Sequence, residues 1–174
     1  SASITRKPWR MARCYHAAAA IIPSPTSMRE EVGPRVYPSG AVITITGGHG
    51  DFRSPSELPR RLGGPLSRME LINGSMVADS PDEVRVRARE QLFLGASQIK
   101  LTAGGGVASP HSPLDVSTFN EDELRAAVQA AENWGTYVAT HAYTPAAIQR
   151  AIAAGVKVIE HGHLMDEATA EFFT

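Results

Sequence analysis

Three residues that can bind metals or move protons stand at or near the ends of three short apolar runs. Ser97-Gln-Ile-Lys100 leads into a glycine loop at residues 104–106, Tyr137-Val-Ala-Thr-His141 ends in histidine, and Val156-Lys-Val-Ile-Glu-His161 ends in another. A lysine at the end of a buried strand is costly unless it is paired or changes its charge state. A salt bridge is one solution. A Schiff-base lysine with a depressed pKa is a second. Carboxylation by carbon dioxide is a third, which turns the cation into an anionic carbamate able to bridge two metal ions. In that case the histidines on the neighbouring strands become metal ligands, since imidazole suits zinc and related divalent metals. Taken singly, each histidine reads as a satisfied polar residue; three such residues on successive strand ends read as a site.

The elements that must position them alternate along the chain. Val42, Ile43, Thr44 and Ile45 suit a pleated buried surface, so residues 35–46 read as a β segment, ended by Gly47-Gly-His49-Gly-Asp51. Residues 52–80 carry scattered prolines and glycines and read as a long loop with one short helix. Ser80-Pro-Asp-Glu83 is a helix start, with Ser80 as cap and the acids at the positive end of the dipole. Val84, Ala88, Leu92 and Phe93 give that helix an apolar stripe, and Gly95 stops it. Asn120 caps a second helix with Leu124, Ala127, Val128 and Ala131 inward. Thr144-Pro145 starts a third, with Ala147, Ile148, Ala151 and Ile152 inward, and Asp166 caps a last one. Alternating strands and helices predict an α/β fold with a parallel sheet, whose apolar strands are covered on both faces. At the C-terminal edge of parallel barrel strands, active sites are the rule.

Composition narrows the function classes. The 174 residues are 43% hydrophobic and 20% charged, with a net charge of -1. That balance argues against a nucleic-acid partner. No apolar run approaches the ~18 residues of a membrane span. The one cysteine, Cys14, reads as an incidental thiol and cannot form an internal disulfide. A complete eight-stranded barrel takes roughly 250 residues, so this length predicts part of one.

Residues 1–32 differ from the rest. Five basic residues precede or flank the first acid, Glu30, together with a four-alanine run and Pro23-Ser-Pro25. Such a pattern is similar to a mitochondrial transit peptide. The segment reads as an atypical leader that does not match the domain at residues 33–174. No secretory signal is evident, and the expected compartment is the cytoplasm.

From residue 33 onward the chain resembles the metal-dependent amidohydrolase superfamily, within it the imidazolonepropionase-like and prolidase-like (Xaa-Pro dipeptidase type) branch. The resemblance is carried jointly by Gly33-Pro-Arg-Val36, Thr46-Gly-Gly-His-Gly-Asp51, Gly95-Ala-Ser-Gln-Ile-Lys100 and Gly104-Gly-Gly-Val-Ala-Ser109. Val138-Ala-Thr-His-Ala-Tyr143, Ala147-Ile-Gln-Arg-Ala-Ile152 and Gly155-Val-Lys-Val-Ile-Glu-His-Gly162 complete it. It implies a TIM-type (β/α)8 barrel, of which this chain supplies about strands three to six. It also implies that Lys100 is carboxylated and bridges two divalent metals, zinc being expected, with His141 and His161 as ligands. His49 corresponds to a histidine near the substrate carbonyl and Tyr143 to a substrate-contacting tyrosine. His163 reads as a loop residue or a donor behind the ligands, His111 as exposed, and Glu160 as structural or orienting.

The departures from the family pattern carry equal weight. No His-x-His pair precedes Lys100, and the chain ends before the strand that carries the family's proton-accepting aspartate. The resemblance therefore implies a fragment of a metal-dependent hydrolase of amide and peptide C–N bonds, with a small-molecule or peptide substrate. The isolated chain is expected to be inactive or nearly so, and to form a homo-oligomer or pair with a complementing segment, because open strand edges promote association. The competing readings are a non-catalytic barrel fragment, a cyclic amidohydrolase of imidazolonepropionase type, and a phosphate-binding barrel in which the loop at residues 104–106 cradles an anion.

Overall fold

The computed structural model describes residues 36–109 and 111–173. The leader expected at residues 1–32 and Cys14 lie outside the described residues. Five strands make one parallel sheet: β1 (Val42–Thr44), β2 (Ser75–Val77), β3 (Ile99–Thr102), β4 (Val138–Ala142) and β5 (Val158–His161). Their spatial order is β2-β1-β3-β4-β5, with every pair parallel. The helices α1 (Arg68–Leu71), α2 (Pro81–Phe93), α3 (Glu121–Asn133), α4 (Pro145–Ala153) and α5 (Glu167–Ala170) connect or follow them.

Local chemistry sets the helix starts where the sequence predicts them. The side chains of Ser80, Asn120, Thr144 and Asp166 accept from the backbone N–H groups of Glu83, Glu123, Ala147 and Thr169. At Asn120 the cap is reciprocal, since Glu123 Oε2 also accepts from the Asn120 amide at 2.9 Å. Each such cap stabilises its helix by about 1 kcal/mol. The core then forms where α2 and α3 cover the sheet. Val84, Ala88 and Leu92 meet Leu124, Ala127, Val128 and Ala131 over Ile43, Ile99 and Leu101. On α4, Ala147 and Ile148 are buried in a smaller cluster and Ala151 joins the main core.

Three expectations are corrected. Phe93 is 85% exposed, while Gln91 is fully buried. At ~100° per residue, position 93 falls on the far side of the helix from Val84, and position 91 falls beside it. The buried amide is satisfied: Gln91 Oε1 accepts from the Ala41 backbone N–H (2.8 Å) and from Asn73 Nδ2 (3.0 Å), and Gln91 Nε2 donates to Asn73 Oδ1 (3.1 Å). Second, the segment read as a long loop with one short helix holds that helix, α1, and also a 3₁₀ turn at Arg60–Leu62 and the strand β2. Ser75-Met-Val77 is too short to show a period of its own; pairing with β1 makes it a strand. Third, residues 36–40 are not a strand, and β1 begins at Val42. Among the described residues, no helix is long and apolar enough to cross a membrane.

Candidate active site

The C-terminal ends of β1, β3, β4 and β5 bring together most of the residues singled out by the sequence. Lys100 is not the last residue of its strand; Leu101 and Thr102 extend β3 beyond it. It stands opposite Ala139, and Thr102 stands opposite His141. Partners in parallel strands share a face and alternate residues point the same way. Lys100, Thr102, Ala139 and His141 therefore look toward one side of the sheet. Glu160 of β5, paired with His141, looks there as well. It reaches across β4 to form an ion pair with Lys100 Nζ.

That pair is the first of the three solutions foreseen for a buried lysine. Lys100 is 7% exposed. Burial lowers its pKa from 10.5 to about 7, and the Glu160 carboxylate in contact with the ammonium opposes that loss of charge.

His141 is 4% exposed. Its Nε2 lies 2.6 Å from the carbonyl oxygen of Gly105. A carbonyl only accepts, so Nε2 carries a proton and the lone pair of the neutral ring sits on Nδ1. Burial, aided by the charges of His49, His161 and Lys100 and opposed by the Gly105 bond, brings its pKa from 6.5 to about 4.

His161 follows a different rule. In register it pairs with Ala142, one step beyond His141, so regular alternation would turn it to the other face. Its φ is +75°, in the left-handed region that a histidine rarely adopts. Inverting φ swings the side chain back, and its ring lies 4.6 Å from that of His141. Tyr143 completes the group, edge-on to His141 at 4.7 Å and 5.5 Å from His161. His163 is exposed, with its ring 5.7 Å from Tyr143 and 6.0 Å from His161. His111 is exposed and bonded to the Arg53 carbonyl at 3.2 Å, outside this group.

His49 enters from the loop after β1, its ring 4.3 Å from that of His141. Thr44 Oγ1 donates to the His49 carbonyl (2.8 Å), and Ser109 Oγ meets His49 Nδ1 at 2.8 Å. Burial and the Lys100 charge lower its pKa below 6.5. The loop is braced from below. Asp51 accepts from Arg53 Nε (2.8 Å), Arg53 Nη2 (2.6 Å) and the Gly47 backbone N–H (2.8 Å). Burial works against the Asp51 carboxylate, but these bonds prevail and hold it below the usual carboxylate range. Asp79 holds Thr46 by both its amide and its hydroxyl, each at 2.8 Å.

The backbone N–H groups of residues 104–106 donate to the carbonyls of His141, Val116 and Ser112, so they are not turned out to cradle an anion. A Cβ added at Gly106 would overlap the His49 ring, and one at Gly105 would overlap the Pro113 carbonyl. At these two positions glycine permits the close approach of the His49 ring and of the Pro113 carbonyl. Sequence reasoning gave Ser109 no role and passed over the Asp51–Arg53 brace, although both lie in or beside the quoted motifs. Periodicity carries no signal for a hydrogen bond between loops sixty residues apart.

The donor chemistry suits a divalent metal: two imidazoles with adjoining rings stand beside a buried lysine at one sheet edge. As placed, Lys100 is bound to Glu160 and His141 Nε2 to Gly105. Among the described residues, no group of three or more His, Cys, Asp or Glu side chains is arranged to hold an ion.

Comparison with known proteins agrees with this architecture. A curated relative, the ochratoxinase of Aspergillus niger, is 36% identical over 144 residues, which are 80% of this chain and 30% of the relative. A prolidase solved with N-methylphosphonate-L-proline is 45% identical with a TM-score of 0.73, over 81% of this chain and 34% of its own. A Xaa-Pro dipeptidase with methionine in its active site is 33% identical with a TM-score of 0.69, over 82% of this chain and 34% of its own. The chain thus spans about a third of the length of these relatives, and its parallel α/β sheet is part of their barrel fold. The family model for "Amidohydrolase family" matches residues 14–173, and the chain belongs to that family.

Proposed function

We propose that this chain supplies the middle strands of a metal-dependent hydrolase of amide and peptide C–N bonds, with dipeptides or N-acylated amino acids as substrates. The observation that carries the reading is the convergence of Lys100, His141, His161, His49 and Tyr143 at the C-terminal edge of neighbouring parallel strands. The prolidase, dipeptidase and ochratoxinase relatives support the substrate class.

Lys100 in its carboxylated form, with His141 and His161, would hold the metal, zinc by donor type. When bound, such ions supply a lowered pKa for water and a polarised carbonyl. The remaining steps belong to the chain's own side chains. His141 offers Nδ1, because Gly105 fixes its Nε2–H. Glu160 must release Lys100 before the amine can take up carbon dioxide. His49 and Tyr143 stand on either side of His141 and suit a substrate carbonyl oxygen, which they would hold and shield from water. The buried half of the site, formed by β1, β3 and β4, excludes solvent from that oxygen.

Metal content tests the reading. Protein purified with zinc and bicarbonate is analysed by elemental mass spectrometry, beside Lys100→Met and His141→Ala. Zinc uptake by the parent chain that falls in both variants is expected. Uptake unchanged in both, or none in the parent, would overturn the ligand assignment. For the chain alone, dipeptide hydrolysis is expected to be absent or very slow, because the first-strand His-x-His and the proton-accepting aspartate are not among its residues. A sizing column should show self-association, since β5 has one described neighbour, β4.

A further inference from the structure

We propose that Ser109 fixes His49 in its Nε2–H tautomer, which makes His49 a hydrogen-bond donor toward a ligand and Ser109 its positioning residue. Ser109 is 9% exposed, and its Oγ has two contacts: His49 Nδ1 at 2.8 Å and the Gly50 backbone N–H at 3.1 Å. The Gly50 amide can only donate, so it occupies a lone pair of the hydroxyl oxygen. The hydroxyl hydrogen then needs an acceptor, because a buried donor left unpaired is costly. Among the described residues, His49 Nδ1 is the acceptor within reach.

If Nδ1 accepts, a neutral imidazole carries its hydrogen on Nε2. The opposite tautomer would point Nδ1–H at Oγ and leave the hydroxyl hydrogen stranded. The cost of an unmet buried hydroxyl biases the equilibrium toward Nε2–H by roughly tenfold to a hundredfold. Packing restricts rotation of the ring: the Gly106 backbone lies so close that a Cβ there would overlap Nδ1, Cε1 and Cγ, and the His141 ring centroid is 4.3 Å away, while Thr44 Oγ1 anchors the His49 backbone carbonyl.

The consequence is a division of labour between two histidines in contact. Both carry Nε2–H, but for different reasons and with different outlets. His141 spends its Nε2–H on the Gly105 carbonyl and keeps Nδ1 for ligation. His49 has its Nδ1 taken by Ser109, and its Nε2–H is the polar group left for a ligand. It therefore acts as a donor to an oxygen, suited to a carbonyl or the oxyanion formed from it, and not as a general base. The donor role toward substrate rests on the hydrolase reading; the tautomer does not.

The test is therefore made without metal or substrate. The full chain, carrying isotope-labelled histidine, is studied by two-bond proton–nitrogen correlation NMR at mildly alkaline pH, where imidazole is neutral. His49→Gln identifies the His49 signals by their loss. The expected result is the Nε2–H pattern for His49 in the parent and in Ser109→Thr, which keeps the hydroxyl. In Ser109→Ala the bias should drop roughly tenfold, toward a mixture of tautomers. An Nδ1–H pattern in the parent overturns the proposal whatever the variants do. An Nε2–H pattern that persists unchanged in Ser109→Ala overturns the role of Ser109.

Discussion

His141 and His161 close two similar strings, Val-Ala-Thr-His and Val-Ile-Glu-His, yet the fold aims them by different means. His141 lies on a strand paired on both sides, and simple register turns its ring inward. His161 lies on β5, where most side chains are half-buried, and one step of register would turn it outward. A left-handed backbone turns it back. The first histidine is held by packing that would be there anyway. The second is held by local backbone strain, of a kind that persists when surroundings over-determine it. The β4 side of the site is preorganised, and the β5 side depends on what ties β5 in place.

Beyond the ladder to β4, the Lys100–Glu160 pair ties β5 to β3, and breaking it should have the largest effect. Glu160→Gln leaves a buried lysine without its anion and is expected to cost roughly 3 kcal/mol in the metal-free chain. Lys100→Met should cost less, and the double variant should lie close to Lys100→Met. Urea titrations of the three variants decide this; if Glu160→Gln is silent, β5 is held by pairing to β4 alone.

Acid should separate the two ends next. The folded chain keeps His141 neutral down to about pH 4, whereas the unfolded chain binds a proton near 6.5. Below 6.5 the unfolded state therefore binds more protons, and stability falls as pH drops from 6.5 toward 4. The loss is on the order of 2 kcal/mol once residual solvent screening is allowed for. His141→Gln should flatten that part of the profile; an unchanged slope would assign the acid sensitivity elsewhere.

Gly106→Ala probes the packed side directly. The added methyl must displace the His49 ring or the loop, at a cost of about 1–3 kcal/mol. Loss of His49–His141 contacts in NMR should accompany it. Full stability with those contacts intact would mean that the loop yields freely. The smallest effect is expected at His161. Replacement by Gly should leave the chain about 1 kcal/mol more stable than replacement by Ala, since only glycine tolerates φ of +75° without penalty. Equal stabilities would show that the left-handed turn carries no strain.

Much of this was legible in the sequence, for physical reasons that differ by residue. The caps at Ser80, Asn120, Thr144 and Asp166 are local, and local rules find them. The inward faces of α3 and α4 follow from a period of 3.6. Phe93 reads as inward because it is apolar, although its angle puts it outward. Strand β2 has three residues and exists by pairing, so no local rule reveals it. The convergence of Lys100, His141 and His161 was readable from their place on successive strands. The inversion at His161 was not, because register is a relation between strands. Ser109 is hidden for a similar reason, since its partner His49 lies sixty residues away; the Asp51–Arg53 brace is local, but no periodicity or capping rule reads it.

The Lys100–Glu160 pair also bears on the order in which the molecule is made. In many small metalloproteins the ligands repel or stay solvated until an ion arrives, and folding waits for it. Here the buried cation finds its counter-charge two strands away, on β5. The pair balances the charge of the buried lysine with no ion bound. On the proposed metal-dependent reading, folding and loading would then be separate events, with the Lys100–Glu160 pair standing in for the ion in the metal-free chain.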